Sequence, residues 1–315
     1  MNHLGYGFAN GKIILMGEHS VVYGKPAIAL PFKEVKIESY VSFTNSPITI
    51  DCLYYKGILE EADLVIEGIK KLVISVLEYL GKKPFGLHIR IDSKLPAQRG
   101  LGSSAAVSIA VVRSLFNLYN EILTDELLQY FSNIAEQIHH VNPSGIDSST
   151  VVSNDAIFFQ KDSEKTYIPL RVDGILVVAD TGRMGKTKEA ILEVKKLWKE
   201  NPTIINPILD RLGELTNEVR SYLISNEVKR LGMALTEAHQ LLKSINVSDE
   251  GLEKLVDAAL ASGALGAKLT GGGKGGCMIA VVESLEKAKA VAEALKENGA
   301  SNTWFYHLKE VINES

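Results

Sequence analysis

One stretch decides the fold of this chain: Leu95-Pro-Ala-Gln-Arg-Gly-Leu-Gly-Ser-Ser-Ala-Ala-Val-Ser-Ile-Ala-Val-Val-Arg-Ser-Leu115. Upstream of it, residues 87–92 alternate apolar and polar side chains, which is typical of a half-buried strand. Downstream, residues 103–119 are small or apolar and include neither glycine nor proline, so they predict a buried helix. The pattern is therefore a strand, a glycine-containing loop and a buried helix.

This arrangement favours a phosphate site at the start of the helix. Gly100 and Gly102 lack the Cβ atoms that keep a ligand away from the backbone. The helix start offers unpaired N–H groups and the positive end of a dipole to an anion. Ser103 and Ser104 could cap the helix or reach a metal ion bound to the phosphate. A tight turn followed by a capped helix, with no ligand, is the structural alternative.

Two better-known nucleotide motifs, the dinucleotide fingerprint and the P-loop, are approached at three places but fit at none of them. Gly100-x-Gly102-x-x-Ala105 matches the dinucleotide fingerprint, but the strand ending in an acidic residue about 20 positions later is missing. Residues 182–187 approach a P-loop but are two residues too short. The glycine run 271–276 also matches the dinucleotide fingerprint. It lies between two predicted strands, however, whereas the fingerprint must open a helix.

Three segments, in this order, resemble the GHMP kinases, which include galactokinase, homoserine kinase, mevalonate kinase and phosphomevalonate kinase. They are Gly11–Lys25, Pro96–Ala106 and Lys268–Cys277. Because they spread over most of the chain, the resemblance is nearly full-length. Within the family, residues 17–25 and Asn142–Asp147 are similar to the mevalonate kinase branch.

The resemblance implies an α+β, two-domain GHMP kinase fold. Residues 1–168 would form an N-terminal, ribosomal-protein-S5-like α/β domain, and residues 169–315 a ferredoxin-like α+β domain. The polar, turn-rich stretch 161–171 agrees with a boundary there.

Hydrophobic periodicity predicts the individual elements. In the first half we expect strands at 8–15, 27–30, 33–43, 151–152 and 156–159, a hairpin at 48–59, and helices at 62–80 and from Thr124 to about 140. In the second half we expect strands at 175–180, 265–270, 277–282 and 303–308, and helices at 185–199, 206–224, 227–244, 248–262 and 285–297.

The resemblance implies that ATP and Mg²⁺ bind at the central stretch. The residues expected to hold the nucleotide are Pro96, Arg99, Gly100, Leu101, Gly102, Ser103, Ser104 and Ala105. Ser104, with Ser103 as the alternate, and Glu136 would ligate Mg²⁺, an ion that usually takes one or two protein oxygens besides phosphates and waters.

Asp147 and Lys12 are the expected catalytic residues. Asp147 follows a Pro-Ser-Gly turn, and in the family the matching aspartate faces the substrate hydroxyl. The resemblance implies that Lys12 pairs with this carboxylate and stabilises the phosphoryl oxygens. The sequence leaves open whether Asp147 removes the proton, or whether Lys12 and positioning suffice.

The phosphate acceptor implied by the resemblance is mevalonate. Glu18 and His19 in the first segment are expected on the acceptor side. Arg183 is the candidate for the acceptor carboxylate, because guanidinium groups pair with carboxylates through two hydrogen bonds. Thr181 is its companion.

Composition limits the other functions. The net charge of −4 argues against broad nucleic-acid binding, which needs a basic face. No apolar run approaches the length of a membrane span, and two cysteines give no disulfide framework, so we expect a soluble cytoplasmic protein. The resemblance is compatible with a homodimer. Sibling GHMP kinases for phosphomevalonate, homoserine or sugars, and a non-catalytic GHMP-fold binding protein, are the alternatives.

Overall fold

The computed structural model of the chain describes residues 4–93, 99–139, 150–151, 155–161, 163 and 165–309, with 135–139 as backbone only. The strands are β1 Leu4–Met16, β2 Ala27–Phe43, β3 Thr49–Cys52, β4 Tyr55–Ile58, β5 Leu87–Ser93, β6 Ile157–Phe159, β7 Thr166–Tyr167, β8 Ile175–Asp180, β9 Gly266–Thr270, β10 Cys277–Val282 and β11 Asn302–His307. The α-helices are α1 Glu67–Tyr79, α2 Ser103–Tyr119, α3 Asp125–His139, α4 Thr187–Glu200, α5 Pro202–Ser225, α6 Val228–Ser244, α7 Glu250–Ala261 and α8 Leu285–Glu297. Short 3₁₀ turns lie at Ser20–Tyr23, Leu59–Glu61 and Leu64–Ile66.

These elements confirm the predicted mixture of helices and strands. After residue 170, every predicted element is present, and the largest boundary error is four residues, at the start of α5. The hairpin of β3 and β4 and the helix α2 are also confirmed. The predicted start of α3 is confirmed as well, since Thr124 Oγ1 accepts a hydrogen bond from the N–H of Leu127 at 3.3 Å.

The first strand starts four residues earlier than predicted, at Leu4. Glycine disfavours strands, so the sequence pattern around Gly5 and Gly7 gave no strand signal. In the structure these glycines let β1 lie directly against α2. A Cβ atom built on Gly5 would be 2.3 Å from the Ser114 carbonyl oxygen, and one on Gly7 would be 2.3 Å from that of Ala110.

Residues 27–43 form one strand, and the predicted break at Pro31 is wrong. The strand changes partner along its length: residues 27–29 pair with β6, and residues 37–43 pair with β5. Pro31 lies between these two paired stretches, where a missing N–H removes no hydrogen bond of either pairing.

Two further boundaries differ from the prediction. The helix expected at 62–80 is a 3₁₀ turn followed by α1, because the apolar residues Leu64 and Val65 are exposed and do not extend the buried face. Val151, expected in a strand, is helical, and Val152 lies outside the described residues.

The chain divides into two compact units that interleave along the sequence. The first is drawn from Met1–Lys12, Pro31–Pro96 and Gly102–Asn154, and the second from Ile13–Leu30, Ala97–Leu101 and Asp155–Ser315. The 168/169 boundary stays a prediction, since the compact units are defined by contacts within the structure and the predicted boundary by resemblance to the family.

In the first unit, a sheet carries three packed helices. Strand β5 pairs antiparallel with β2 and parallel with β3, and β3 continues into the β4 hairpin. Helices α1, α2 and α3 pack against one another through Tyr79, Phe116 and Phe131. Helix α2 is thereby held by α1 and α3 on one side and by β1 on the other.

In the second unit, an antiparallel sheet has the order β11-β8-β10-β9. Helix α6 packs on β9, and α8 packs on β8 and β11. The loops that follow β8 and β9 lie at residues 181–186 and 271–276, and the first of them carries the candidate site residues Thr181 and Arg183. No helix among the described residues combines the length and apolar content needed to cross a bilayer.

Candidate active site

The start of α2 has the features of an anion site. Gly102 is the N-cap residue, with a left-handed φ of 74°, and no side chain caps this helix end. The capping role that the sequence allowed for Ser103 and Ser104 is therefore wrong. Both are helical, Ser103 half-buried and Ser104 exposed, and Ala105 behind them is buried. The first-turn N–H groups remain available to a ligand.

Lys12 runs past this helix start. A Cβ atom built on Gly102 would be 2.6 Å from Cγ of Lys12 and 3.2 Å from its Cε. Only glycine leaves room for the lysine stem here, and Lys12 itself is 2% exposed. The structure thus brings a predicted catalytic lysine and the predicted phosphate helix together within the first unit.

Arg99 lies in the loop before α2 that is predicted to bind phosphate, called the phosphate loop below. Within the second unit, its side chain is anchored by two contacts. Its Nε lies 3.2 Å from Oδ1 of the buried Asp180, and its Nη2 donates to the Gly182 carbonyl oxygen at 2.8 Å. Oδ1 of Asp180 also accepts from the Gly182 N–H at 2.9 Å. Asp180 therefore holds both the loop after β8 and the arginine. The next loop residue but one, Leu101, is fully buried.

The glycine run 271–276 packs against Gly100. A Cβ atom on Gly271 would be 2.7 Å from Cα of Gly100, and one on Gly100 would be 3.0 Å from the Thr270 carbonyl oxygen. The backbones touch because neither residue has a side chain. The C-terminal glycine run therefore packs on the loop before α2.

Glu18 and His19 both use their side chains inside the second unit. The Glu18 carboxylate forms a buried ion pair with Lys268 of β9. The Nε2 atom of His19 lies 3.0 Å from the Gly272 carbonyl oxygen and can donate a hydrogen bond to it. The loop expected on the acceptor side is thus held by β9 and by the glycine run.

Burial decides the protonation of this cluster. It lowers the pKa of His19 to about 4, an effect reinforced by the nearby Lys268 ammonium and opposed by the bond to Gly272. Burial also lowers the pKa of Lys268, which the Glu18 carboxylate opposes. His19 is therefore neutral at pH 7.

Thr181 and Arg183 lie in the loop after β8, next to the glycine run. Thr181 Oγ1 donates to the Gly276 carbonyl oxygen at 2.7 Å, and the Gly276 N–H donates to the Arg183 carbonyl oxygen at 2.9 Å. The Arg183 side chain is 62% exposed, and its Nη1 lies 3.5 Å from a carboxylate oxygen of Asp249. The guanidinium is accessible, and its role as a carboxylate ligand stays a prediction.

Three predicted site residues are only partly described or fall outside. Glu136 lies in α3, with its backbone alone described. Pro96 and Asp147 lie outside the described residues. Their roles stay predictions.

Sequence reasoning gave no role to Lys268 or Asp180. Each carried a signal, since a charged residue in or at the end of an apolar strand must be paired when the strand is buried. Lys268 lies between Ala267 and Leu269, and Asp180 ends the apolar run 175–179. Their partners, Glu18 and Arg99, are distant in sequence, so only the fold identifies them.

Comparison with known families agrees with this geometry. The model of the GHMP kinase N-terminal domain matches residues 67–154, and that of the GHMP kinase C-terminal domain matches residues 219–301. A curated mevalonate kinase of Pyrococcus furiosus is 34% identical, with 93% of each chain covered. The chain belongs to the GHMP kinase family.

Other relatives of this GHMP kinase cover nearly its whole length. A curated mevalonate kinase of Thermococcus sibiricus is 36% identical over 92% of each chain. The crystal structure of L. major mevalonate kinase in complex with R-mevalonate superposes with a TM-score of 0.83 at 28% identity, covering 98% of this chain and 96% of that one. The two-domain GHMP kinase fold is thereby confirmed, and the family makes this chain a kinase that uses ATP and an alcohol acceptor.

Proposed function

We propose that this GHMP kinase transfers the γ-phosphoryl group of ATP to the C5 hydroxyl of (R)-mevalonate, which gives 5-phosphomevalonate for isoprenoid synthesis. The observation that supports mevalonate as the phosphate acceptor is the 36% identity to a curated mevalonate kinase over 92% of each chain. The observation that supports the chemistry is the packing of Lys12 against Gly102 at the start of α2.

The start of α2 binds the ATP phosphates. Its first-turn N–H groups and the helix dipole attract the anionic tail, and Gly102 leaves the approach open. The ammonium group of Lys12 stabilises the negative charge of the phosphoryl oxygens during transfer. Fixed electrostatic groups of this kind contribute most of the acceleration in phosphoryl transfer.

The described side chain of Ser104 fits a magnesium ligand at this helix end. The exposed hydroxyl of Ser104 is not used as a cap, and an alcohol oxygen is a ligand that Mg²⁺ accepts. Ser104 and Glu136 would hold the ion, which when bound neutralises charge on the phosphate oxygens. A Glu136→Gln variant should then need more Mg²⁺ for half-maximal rate, and an unchanged Mg²⁺ titration would count against this ligand.

Two schemes serve the acceptor proton. Asp147 either removes it as a general base, or orients the hydroxyl together with Lys12 while the proton leaves later. General-base help is worth about 10²–10⁴-fold in rate, so both schemes leave much of the work to positioning. Asp147→Ala should abolish turnover while ATP binding survives.

The acceptor side comprises the loop with Glu18 and His19 and the loop with Thr181 and Arg183. The exposed guanidinium of Arg183 is available for the mevalonate carboxylate, in exchange for its contact with Asp249. Arg183→Ala should raise the KM for mevalonate far more than the KM for ATP. Equal changes in both constants would remove this assignment.

One assay separates the proposal from its alternatives. ADP release is measured with mevalonate, phosphomevalonate, homoserine and galactose, with Asp147→Ala as the inactive control. Mevalonate should give the highest kcat/KM. A higher kcat/KM with another acceptor would show that the chain is a different GHMP kinase. ATP binding without turnover of any acceptor would show that it is a non-catalytic binding protein.

A further inference from the structure

Three alternate residues, Lys268 and Thr270 of β9 and Gly272 just after it, form a row. This row contacts the end of β1 and the loop that follows β1, Gly17–Gly24. Lys268 and Thr270 are two apart in a strand, so their side chains point to the same face. The row makes three contacts with the N-terminal segment: Lys268 with the Glu18 carboxylate, Thr270 Oγ1 with the Ile14 carbonyl oxygen at 2.9 Å, and the Gly272 carbonyl oxygen with His19 Nε2 at 3.0 Å.

The charged contact of this row is buried on both sides. The exposed fraction is 0% for the Lys268 side chain and 1% for that of Glu18. The ammonium group also donates to the Leu269 carbonyl oxygen at 2.8 Å. A buried ion pair is usually no more stabilising than apolar residues of similar volume, so stability alone does not account for it.

The loop that the row holds has a conformation that needs outside support. His19 has a left-handed φ of 59°, which is costly for a residue with a side chain. The turn that follows is closed by its own backbone, through the N–H of Ser20 to Glu18 and the N–H of Val21 to Gly17. Such a residue persists only where its surroundings fix it.

We propose that Lys268 is a positioning residue for the phosphate acceptor, which acts by holding Glu18 and thereby the shape of the Gly17–Gly24 loop. The inference rests on the proposed function, since that function puts this loop on the mevalonate side. Lys268 does not contact the substrate in this scheme. Its removal leaves the loop free to depart from the left-handed conformation at His19.

The test must separate positioning from folding. Lys268→Met alone removes the ammonium group from the buried Glu18 carboxylate, so it should lower the melting temperature as well. The double variant Glu18→Gln/Lys268→Met replaces the pair with neutral side chains of similar size and should recover the melting temperature. Leu295→Ala in α8 is the matched control, because it opens a cavity in the same unit at a fully buried residue.

We expect the double variant to fold and to raise the KM for mevalonate about tenfold, equivalent to about 1.4 kcal/mol, with the KM for ATP changed less than about twofold. Leu295→Ala should lower the melting temperature with both KM values unchanged. A double variant with wild-type KM for mevalonate overturns the proposal. So does one that fails to fold, since the pair would then be a requirement of the fold.

Amide hydrogen exchange gives a readout that does not depend on the acceptor. The N–H groups of residues 20–25 should exchange about tenfold faster in the double variant and at the wild-type rate in Leu295→Ala. If wild-type protein ignores mevalonate but this loop still loosens, the proposed function fails and the role of Lys268 in holding the loop stands. Unchanged exchange overturns that role whatever the substrate.

Discussion

The aliphatic part of the Lys12 side chain packs on Gly102 at the start of α2. A substitution can therefore remove the charge of Lys12 and keep this packing. Lys12→Met keeps the stem that packs on Gly102 and removes the ammonium group. We expect kcat to fall about 10²–10³-fold, the usual loss when one fixed electrostatic group is removed, with a smaller change in the KM for ATP. Steady-state kinetics measure both.

Lys33→Met is the control for that variant, since Lys33 is an exposed lysine of the same unit. Its kinetic constants should match those of the wild type. A kcat for Lys12→Met within a few-fold of wild type would remove the lysine from the chemistry.

His19 gives the protein a defined response to acid. Its pKa is about 4 in the folded state and near 6.5 when unfolded, so between these values the unfolded chain binds a proton that the folded chain does not. Its contribution to stability is complete above pH 6.5 and is lost as the pH falls toward 4. The loss is up to about 3 kcal/mol.

Urea denaturation of wild-type and His19→Gln protein from pH 7.5 to 4.5 measures this effect. The difference in unfolding free energy between the two proteins should move in favour of the variant as the pH falls. His307→Gln, which changes an exposed histidine of β11, should leave the pH dependence as it is in the wild type. Parallel curves for His19→Gln and wild type would contradict a neutral buried imidazole.

At the residue scale, the sequence predicts which residues matter better than what they touch. Glu18 and His19 stand out in their motif, but nothing near them in the chain indicates that a lysine 250 residues later neutralises the carboxylate. The capping role considered for Ser103 and Ser104 was wrong because the sequence does not fix the residue at which the helix begins. A left-handed glycine at the helix end is compatible with several loop paths, and the serines belong to the helix itself.

Among the elements, the contact between Gly100 and Gly271 joins the phosphate loop to the glycine run. Gly271→Ala adds a Cβ atom 2.7 Å from Cα of Gly100 at a φ of 81°. The loop must shift, so we expect the KM for ATP to rise about tenfold or more, equivalent to at least about 1.4 kcal/mol. Nucleotide titration and kinetics both report this change.

Gly299→Ala separates contact from backbone strain. Gly299 also has a positive φ, 102°, but a Cβ atom there would have nothing within 4 Å. It should cost about 1–2 kcal/mol of stability and leave the KM for ATP unchanged. Similar effects of the two variants on the KM would mean that strain, and not the contact, disturbs the site.

Element prediction succeeded where the apolar pattern of a segment matches its burial and failed where one particular distant partner decides. The helices and strands after residue 170 follow from apolar patterning alone, because each helix buries one face and β8, β9 and β10 are buried along their whole length. The glycines of β1 and the unbroken β2 do not follow from it. Gly5 and Gly7 are strand residues because α2 lies against them, and Pro31 is tolerated because β2 changes partner nearby.

For the whole molecule, the interleaving of the two units predicts that the C-terminal half does not fold alone. A fragment of residues 155–315 lacks Glu18 for Lys268, Arg99 for Asp180 and residues 27–29 for β6. Two buried charges and one strand would lose their partners, at a cost of several kcal/mol per charge.

We therefore expect the fragment to give a poorly dispersed amide spectrum and no cooperative thermal transition. Addition of residues 1–154 should restore both. A fragment that melts sharply by itself would contradict the interleaved division and favour independent domains. Linear patterns could not reveal this organisation, since the residues that complete the second unit come from positions 13–30 and 97–101.

The distance along the chain between Glu18 and Lys268 also has a consequence for biosynthesis. A ribosome adds roughly 5–20 residues per second, so about 12–50 s separate the synthesis of these two residues, which are 250 positions apart. During that time the nascent chain carries an acidic group destined for the interior and a turn without its support. The loop that contains Glu18 therefore reaches its final form only after the chain has grown by at least 250 more residues.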